Sequence, residues 1–237
     1  MPALRLTGLG AMVVVLLQCL ALPSRAQVAA SVSLESDDLF RGVSLSDGRP
    51  VLNLGLAYDH RSGAFGGVTV TAVDTRHSDI KTLGYAAYLG YARRLDDGAS
   101  WEVGVTNSRT LVYLDRRYSN YYTEIYAGFS KNNISTHIYY SPRYLDEDAA
   151  AVYVDIDGAV EPAKDWRLFG HAGVLMSLGR TAPSGGRTRL DMRAGVARTY
   201  KAAELHLAWT ASSRQPFYPE WRKQKRSTLE AGVAVYF

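Results

Sequence analysis

Three of the five histidines, His137, His171 and His206, share one parity of the alternating segments with eight carboxylates: Glu35, Glu102, Glu124, Asp155, Asp157, Asp191, Glu204 and Glu230. Arg93, Arg167, Arg189 and Arg193 share that parity. Such a set suits a surface that conducts ions or handles protons, because imidazole changes its charge between mildly acidic and neutral pH while carboxylates and guanidinium groups keep theirs. Ser135-x-His137 is the nearest approach to a nucleophile and its base, since residues two apart lie on one side of an extended chain. A hydrolase of membrane lipids needs that pair on the face that meets lipid, and both residues have the parity of the charged face. His60 and His77 lie in connections, and no grouping has metal-ligand spacing, so neither a metal nor a cofactor is expected.

The elements that must position these residues alternate with period two, as half-buried strands do. Val28, Ala30, Val32 and Leu34 open the series, followed by Leu52, Leu54, Leu56 and Tyr58, then Val68, Val70 and Ala72, then Leu83, Tyr85, Ala87, Leu89 and Tyr91. Trp101, Tyr121, Ile134, Val152, Trp166, Leu190 and Leu205 head the next seven apolar rows, and Leu229, Ala231, Val233, Val235 and Phe237 close the chain. The breaks near 60–63, 94–99, 131–133, 161–165 and 199–202 are short, whereas those near 37–50, 74–82, 109–120, 143–149, 179–187 and 213–226 are mostly longer. Twelve strands with short turns at one end and long loops at the other predict an all-β fold. It is a transmembrane antiparallel up-and-down β-barrel with both termini on the periplasmic side.

The amino terminus agrees. Residues 1–26 carry Arg5 and no acid, an apolar run from Ala11 to Leu22, Pro23, and the small-x-small ending Ser24-Arg25-Ala26. This is the order of a secretory signal peptide cleaved after Ala26, leaving 27–237 as the barrel. The single cysteine, Cys19, lies in that signal, so the mature chain has neither disulfides nor thiolate ligands. Charge in the mature chain is nearly balanced, which gives no footprint for nucleic acid.

Size decides which face looks outward. Twelve strands tilted about 40° and about 4.8 Å apart enclose a backbone diameter of roughly 24 Å. Leu and Val side chains cannot fill that space, so the apolar parity must face lipid and the charged parity a wet interior. Tyr58, Tyr91, Trp101, Trp166 and Phe237 then lie near the short turns and Trp209 near the long loops, as two aromatic belts at the membrane interfaces. The expected pore-lining residues are Glu35, Glu124, His137, Asp155, Asp157, His171, Arg193 and His206. Pairing through the connections sets His137, Asp155 and His171 side by side, with Arg193 close by.

Ser36-Asp37-Asp38-Leu39-Phe40-Arg41-Gly42-Val43-Ser44, followed by Ser46-Asp47-Gly48-Arg49-Pro50, resembles the opening signature of the TorF-like porin family of proteobacterial outer-membrane proteins. Tyr122-Thr123-Glu124-Ile125-Tyr126-Ala127-Gly128 resembles its middle signature. The resemblance implies family-motif roles for Ser36, Asp37, Arg41, Gly42 and Pro50, and attaches no catalytic role to them. Asp38 departs from the aromatic residue expected there and has the parity of Leu34, so the first strand is expected to bulge or end nearby.

Together these features predict an outer-membrane channel for passive diffusion of small hydrophilic solutes or ions, with a weak cation preference because acids outnumber arginines on the inner parity. Its expected partners are outer-membrane lipids and lipopolysaccharide, the barrel-assembly machinery through the carboxy-terminal strand, and a small hydrophilic solute. The alternatives are an outer-membrane lipid-modifying hydrolase and a plugged structural or adhesin barrel. For the last, the loop Arg214 to Arg226 is the candidate to fold inward.

Overall fold

The computed structural model describes residues 26–74, 80–111, 119–144, 150–178, 188–213 and 227–237. Its strands are β1 (Ala26–Glu35), β2 (Leu39–Phe40), β3 (Val43–Ser44), β4 (Val51–His60), β5 (Ala64–Asp74), β6 (Ile80–Arg94), β7 (Ser100–Leu111), β8 (Ser119–Lys131), β9 (Ile134–Ser141), β10 (Ala151–Ala163), β11 (Trp166–Ser177), β12 (Thr188–Tyr200), β13 (Ala203–Ser212) and β14 (Ser227–Tyr236). Twelve of them close into one antiparallel barrel, β1 pairing with both β14 and β4, while β2 and β3 pair only with each other. The signal segment lies, except for Ala26, outside the described residues, as does the loop Arg214 to Arg226.

Register follows the apolar pattern, because a slip of one residue would turn a whole row to the other face. Leu34 stands opposite Val233 and Leu52, and Leu89, Val105 and Ile125 lie side by side across three strands. These rows point outward: Val103 is 45% exposed and Leu207 50%, while Ala208, next to Leu207 on β13, is 1% exposed. Leu54, between Val32 and Val70, belongs to the same outer face. Thr136, set in that face, gives its hydroxyl to the carbonyl of Asp155 at 2.7 Å, so its polar group is satisfied.

The short connections are tight. Asn132, Asp165 and Lys201 take φ of 56°, 65° and 57° in two-residue turns, the left-handed backbone that strand twist demands there. β10 runs through Glu161 and Pro162 to Ala163 with a register irregularity after Val160, so the break expected over 161–165 narrows to Lys164-Asp165.

One side chain of the apolar series turns the other way. Thr71 pairs with Gly84 and Ala72 with Thr82, leaving Leu83 as the extra residue of a bulge. Leu83 therefore faces inward, 2% exposed, in a buried cluster with Val51 and Val73 against which Leu45 packs. This corrects its placement on the lipid face. Leu83→Ala is expected to cost about 2–5 kcal/mol of barrel stability. Leu95→Ala, in an exposed turn, should change it by under about 0.5 kcal/mol; urea unfolding of the refolded barrel, followed by tryptophan fluorescence, measures both.

Candidate functional site in the lumen

β1 ends at Glu35, and the chain then turns into the barrel rather than away from it. Ser36 makes the last contacts with β14, its N–H donating to the Ala231 carbonyl at 2.9 Å and its hydroxyl accepting from the Ala231 N–H at 2.9 Å. The segment up to Pro50 folds around the buried carboxylate of Asp37, whose Oδ1 accepts from the hydroxyls of Ser44 (2.6 Å) and Ser46 (2.8 Å) and from the Gly48 N–H (3.2 Å). β2 and β3 form a hairpin on this base. Its two turn residues, Arg41 and Gly42, have φ of 47° and 74°, the two-residue turn whose twist matches its strands. Gly42 has a second constraint, since a Cβ there would lie 2.8 Å from Ser212 Cβ and 3.0 Å from Asp191 Cβ on the opposite wall.

The hairpin tip carries Arg41 into a ring of aromatic side chains. Its Nη1 and Nη2 donate to Glu124 Oε1 and Oε2 at 3.0 and 2.8 Å, a two-pronged pairing, and Nη1 also donates to the Tyr144 hydroxyl at 3.0 Å. The guanidinium carbon lies 3.9 Å from the centre of the Tyr153 ring and within 5.5 Å of Phe40, Tyr139 and Tyr144, distances at which a cation is held by the ring faces. Tyr122 completes the ring, 5.2 Å from Tyr144 and 5.9 Å from Phe40. The Arg41 and Glu124 side chains are 9% and 4% exposed, so removing either partner strands a charge away from water.

The histidines are each built into carboxylates. His137 faces Asp155 Oδ1 through Nδ1 at 3.1 Å and Glu102 Oε1 through Nε2 at 3.2 Å. His171 faces Asp157 through Nδ1 at 2.8 Å and Asp191 through Nε2 at 3.0 Å, and Tyr153 gives its hydroxyl to Asp191 at 3.1 Å. The expected row of His137, Asp155 and His171 is thus corrected. Asp155 stands opposite His137 and Gly173, and His171 opposite Asp157 and Arg193, because β10 continues past Pro162 before turning and shifts the register by two. Arg193 pairs with Glu230 and lies over Phe169, Arg167 pairs with Glu204 at 2.6 Å, and His206 Nε2 is 3.1 Å from Glu35. His137, Asp155 and Asp157 bring possible ligand atoms within 4.8 Å of one another, but the bonds between His137 and Asp155 close that group on itself. Neither ring nitrogen of His137 is left for Ser135, which has the same lumen-facing parity.

A cavity of about 950 Å³ runs from Phe40 and Arg41 of the hairpin to the Asn132-Asn133 turn. Glu35, Glu124, Asp155, Asp157, His171 and Arg193 line it, with Asp37, Asp38, Asp191, Glu230 and Arg167. His137 and His206 stand on the same inner face. Tyr58, Tyr91, Trp166, Trp209 and Phe237 are exposed on the outer face. Trp101 is half-buried beside Tyr91, ring centres 5.8 Å apart, and the Arg198 guanidinium lies 5.2 Å over Trp166.

The family-motif residues Ser36, Asp37, Arg41, Gly42 and Pro50 all belong to this inward segment, which the length pattern had placed among the outer loops. Its signal was present: Leu39, Phe40, Val43 and Leu45 are apolar side chains in a supposed solvent loop, bracketing Arg41-Gly42 at a hairpin turn. The tyrosine ring around Arg41 draws on β8, β9, β10 and the segment after β9, and no local pattern announces it.

No curated protein sequence matches the chain. The sequence profile of Gcw_chp, a bacterial protein family of unknown function, matches residues 22–210. Among solved structures the barrel is similar to the NanC porin, with a TM-score of 0.57 at 11% identity over 88% of this chain and 99% of that one. It is also similar to the KdgM porin solved in complex with disordered oligogalacturonate, with a TM-score of 0.51 at 13% identity over the same shares. At these identities the likeness is one of fold.

Asp38 makes the hairpin's seat sensitive to pH. Withdrawal from water, with Asp37, Glu35 and Glu230 close by, pushes its carboxyl up to about 7. Arg193, which lines the same cavity as Asp38, is engaged by Glu230. A carboxyl raised in the folded state binds more protons there than in the unfolded chain, so its cost is absent below the ordinary value, grows as pH rises towards about 7, and is full above it. Asp38→Asn is therefore expected to stabilise the barrel against urea, and to do so more at pH 8 than at pH 5.

Proposed function

The chain belongs to the Gcw_chp family, and because that family's function is unknown we propose a role from the barrel itself: a TorF-like, porin-type channel of the bacterial outer membrane for passive diffusion of small hydrophilic solutes or ions. The observation that carries this reading is the pairing of an apolar, exposed outer face with a charged inner face around a cavity of about 950 Å³. In water such an outer face would aggregate. In a bilayer it is the solvated face, and closing the sheet pairs strand edges that lipid could not satisfy. The similarity in fold to the NanC and KdgM porins supports the same reading.

On this proposal the signal segment directs export, both termini lie in the periplasm, and the aromatic side chains at the strand ends sit at the two interfaces. The closing strand, ending at Phe237, is the segment the assembly machinery reads, and the outer loops meet lipopolysaccharide. No group on the path needs to react with the solute.

Charge sets the preference. Eight carboxylates line the cavity (Glu35, Asp37, Asp38, Glu124, Asp155, Asp157, Asp191 and Glu230) against three arginines (Arg41, Arg167 and Arg193). Pairing consumes the arginines, so the surplus is negative and cations are favoured. The hairpin also makes a second reading specific, that of a barrel plugged at rest.

Planar-bilayer recordings of the refolded mature chain test the proposal. The expected result is a conductance whose reversal potential in asymmetric KCl shows cation preference, falling towards neutrality in the Asp155→Asn, Asp157→Asn double variant. A wild-type barrel that conducts nothing, beside a conducting variant lacking residues 37–48, would identify the plugged state. Silence from both would remove the channel reading.

A further inference from the structure

The pocket that holds Arg41 is a ligand site occupied by the protein's own side chain. We propose that the Glu124 carboxylate and the tyrosine ring around it form a binding site for the guanidinium group of a permeating solute, which competes with Arg41 and frees the hairpin from the wall. This rests on the channel reading above.

Three observations point to it. Except for Phe40, the pocket is supplied by the barrel wall and the segment following β9: Glu124 and Tyr122 come from β8, Tyr139 from β9, Tyr153 from β10, and Tyr144 follows β9. The recognition geometry is that of a planar cation, with two parallel N–H bonds to the two oxygens of Glu124 and a tyrosine face 3.9 Å away. A compact ammonium satisfies the charge but neither the fork nor the stacking. Finally, the pocket opens on the solute space, since Tyr122, Glu124, Tyr139 and Tyr153 all line the large cavity.

The hairpin is suited to leave. Its two strands share only the pairs Leu39 with Ser44 and Phe40 with Val43, and two-residue strands have no stability of their own. What shapes it is the local network on Asp37, made by Ser44, Ser46 and Gly48 within the segment itself. Leu45, at its base, packs on Val51, Val73 and Leu83, an anchor that survives loss of the tip. A solute guanidinium that takes Glu124 replaces both charge-assisted bonds between the tip and that carboxylate, at no cost in buried charge.

Arg41→Asn tests this, because asparagine adopts the left-handed turn backbone that Arg41 occupies and so keeps the hairpin while emptying the pocket. Methylguanidinium is titrated calorimetrically into the refolded barrels in detergent, with urea at equal concentration as a planar, uncharged control. The expected result is binding of methylguanidinium to the Arg41→Asn barrel about tenfold or more tighter than to wild type, where Arg41 occupies the site. Binding of urea should be absent, as should binding of methylguanidinium to an Arg41→Asn, Glu124→Gln barrel. Equal or absent binding in wild type and Arg41→Asn would overturn the proposal. If Arg41→Asn fails to fold, Arg41→Gly serves in its place with the same outcomes. In bilayers, methylguanidinium should raise wild-type conductance and leave Arg41→Asn conductance unraised. Calorimetric binding without conductance in any variant would count against the channel and not against the site.

Discussion

A sheet that turns apolar side chains outward all the way round can persist only if it has no edge. An exposed edge would present a row of unpaired N–H and C=O groups, which water can satisfy and hydrocarbon cannot. Here β1 is bonded on one side to β4 and on the other to β14, and the closure reaches the last residue: the Phe237 N–H donates to the Ala30 carbonyl at 2.9 Å. The parity of every other strand depends on that seam, because β14 sets the register of β13 as β1 sets that of β4.

Closure creates the second problem, the inner face. Side chains that point at a common axis meet one another, so charges there must be matched among themselves. The wall does this strand by strand: Asp155 with His137, Asp157 and Asp191 with His171, Glu204 with Arg167, Glu230 with Arg193. Bulk is managed alongside charge. Tyr153 lies across Gly173 on the next strand, where a Cβ would collide with its ring, and from that position it reaches both Asp191 and the Arg41 guanidinium. One glycine thus lets one tyrosine link the histidine group to the hairpin.

Period two made the wall legible in the sequence, because it is enforced by the pleat at each residue: the apolar rows from Val28 to Phe237 and the inward parity of Glu35, His137, His171 and Arg193 follow from counting. Counting fails where the pleat is interrupted. Leu83 sits in a bulge, and a bulge costs a single unpaired residue that leaves no compositional mark. The two-residue error around His171 has the same origin, since proline at 162 reads as a break although it lies within an irregular strand end. The hairpin was hidden for a different reason. Loop length and polarity say that a segment is free of the sheet but carry no information on which side of the rim it goes. Only the match between Arg41 and a pocket assembled from three strands and a following loop decides that, and those partners are brought together by closure.

The two anchors of the hairpin differ in kind, and the difference shapes the lumen. Leu45 is held by apolar contact, which fixes depth with little regard to direction. Arg41 is held by bonds with strict geometry, which fix the side of the barrel towards which the tip leans. The tip thus spans the lumen, with Arg41 held by β8, β9 and β10 and Gly42 close to Asp191 and Ser212 of β12 and β13, and the remaining cavity is faced by Asp155, Asp157, His171, Arg193 and Glu230. A buried ion pair adds little net stability over an apolar contact of the same size, since desolvation offsets most of its attraction. An apolar pair at positions 41 and 124 would therefore have held the tip about as firmly. What the ion pair adds is direction and exchangeability: it holds the tip in one place, and another charge of the same shape satisfies Glu124 just as well.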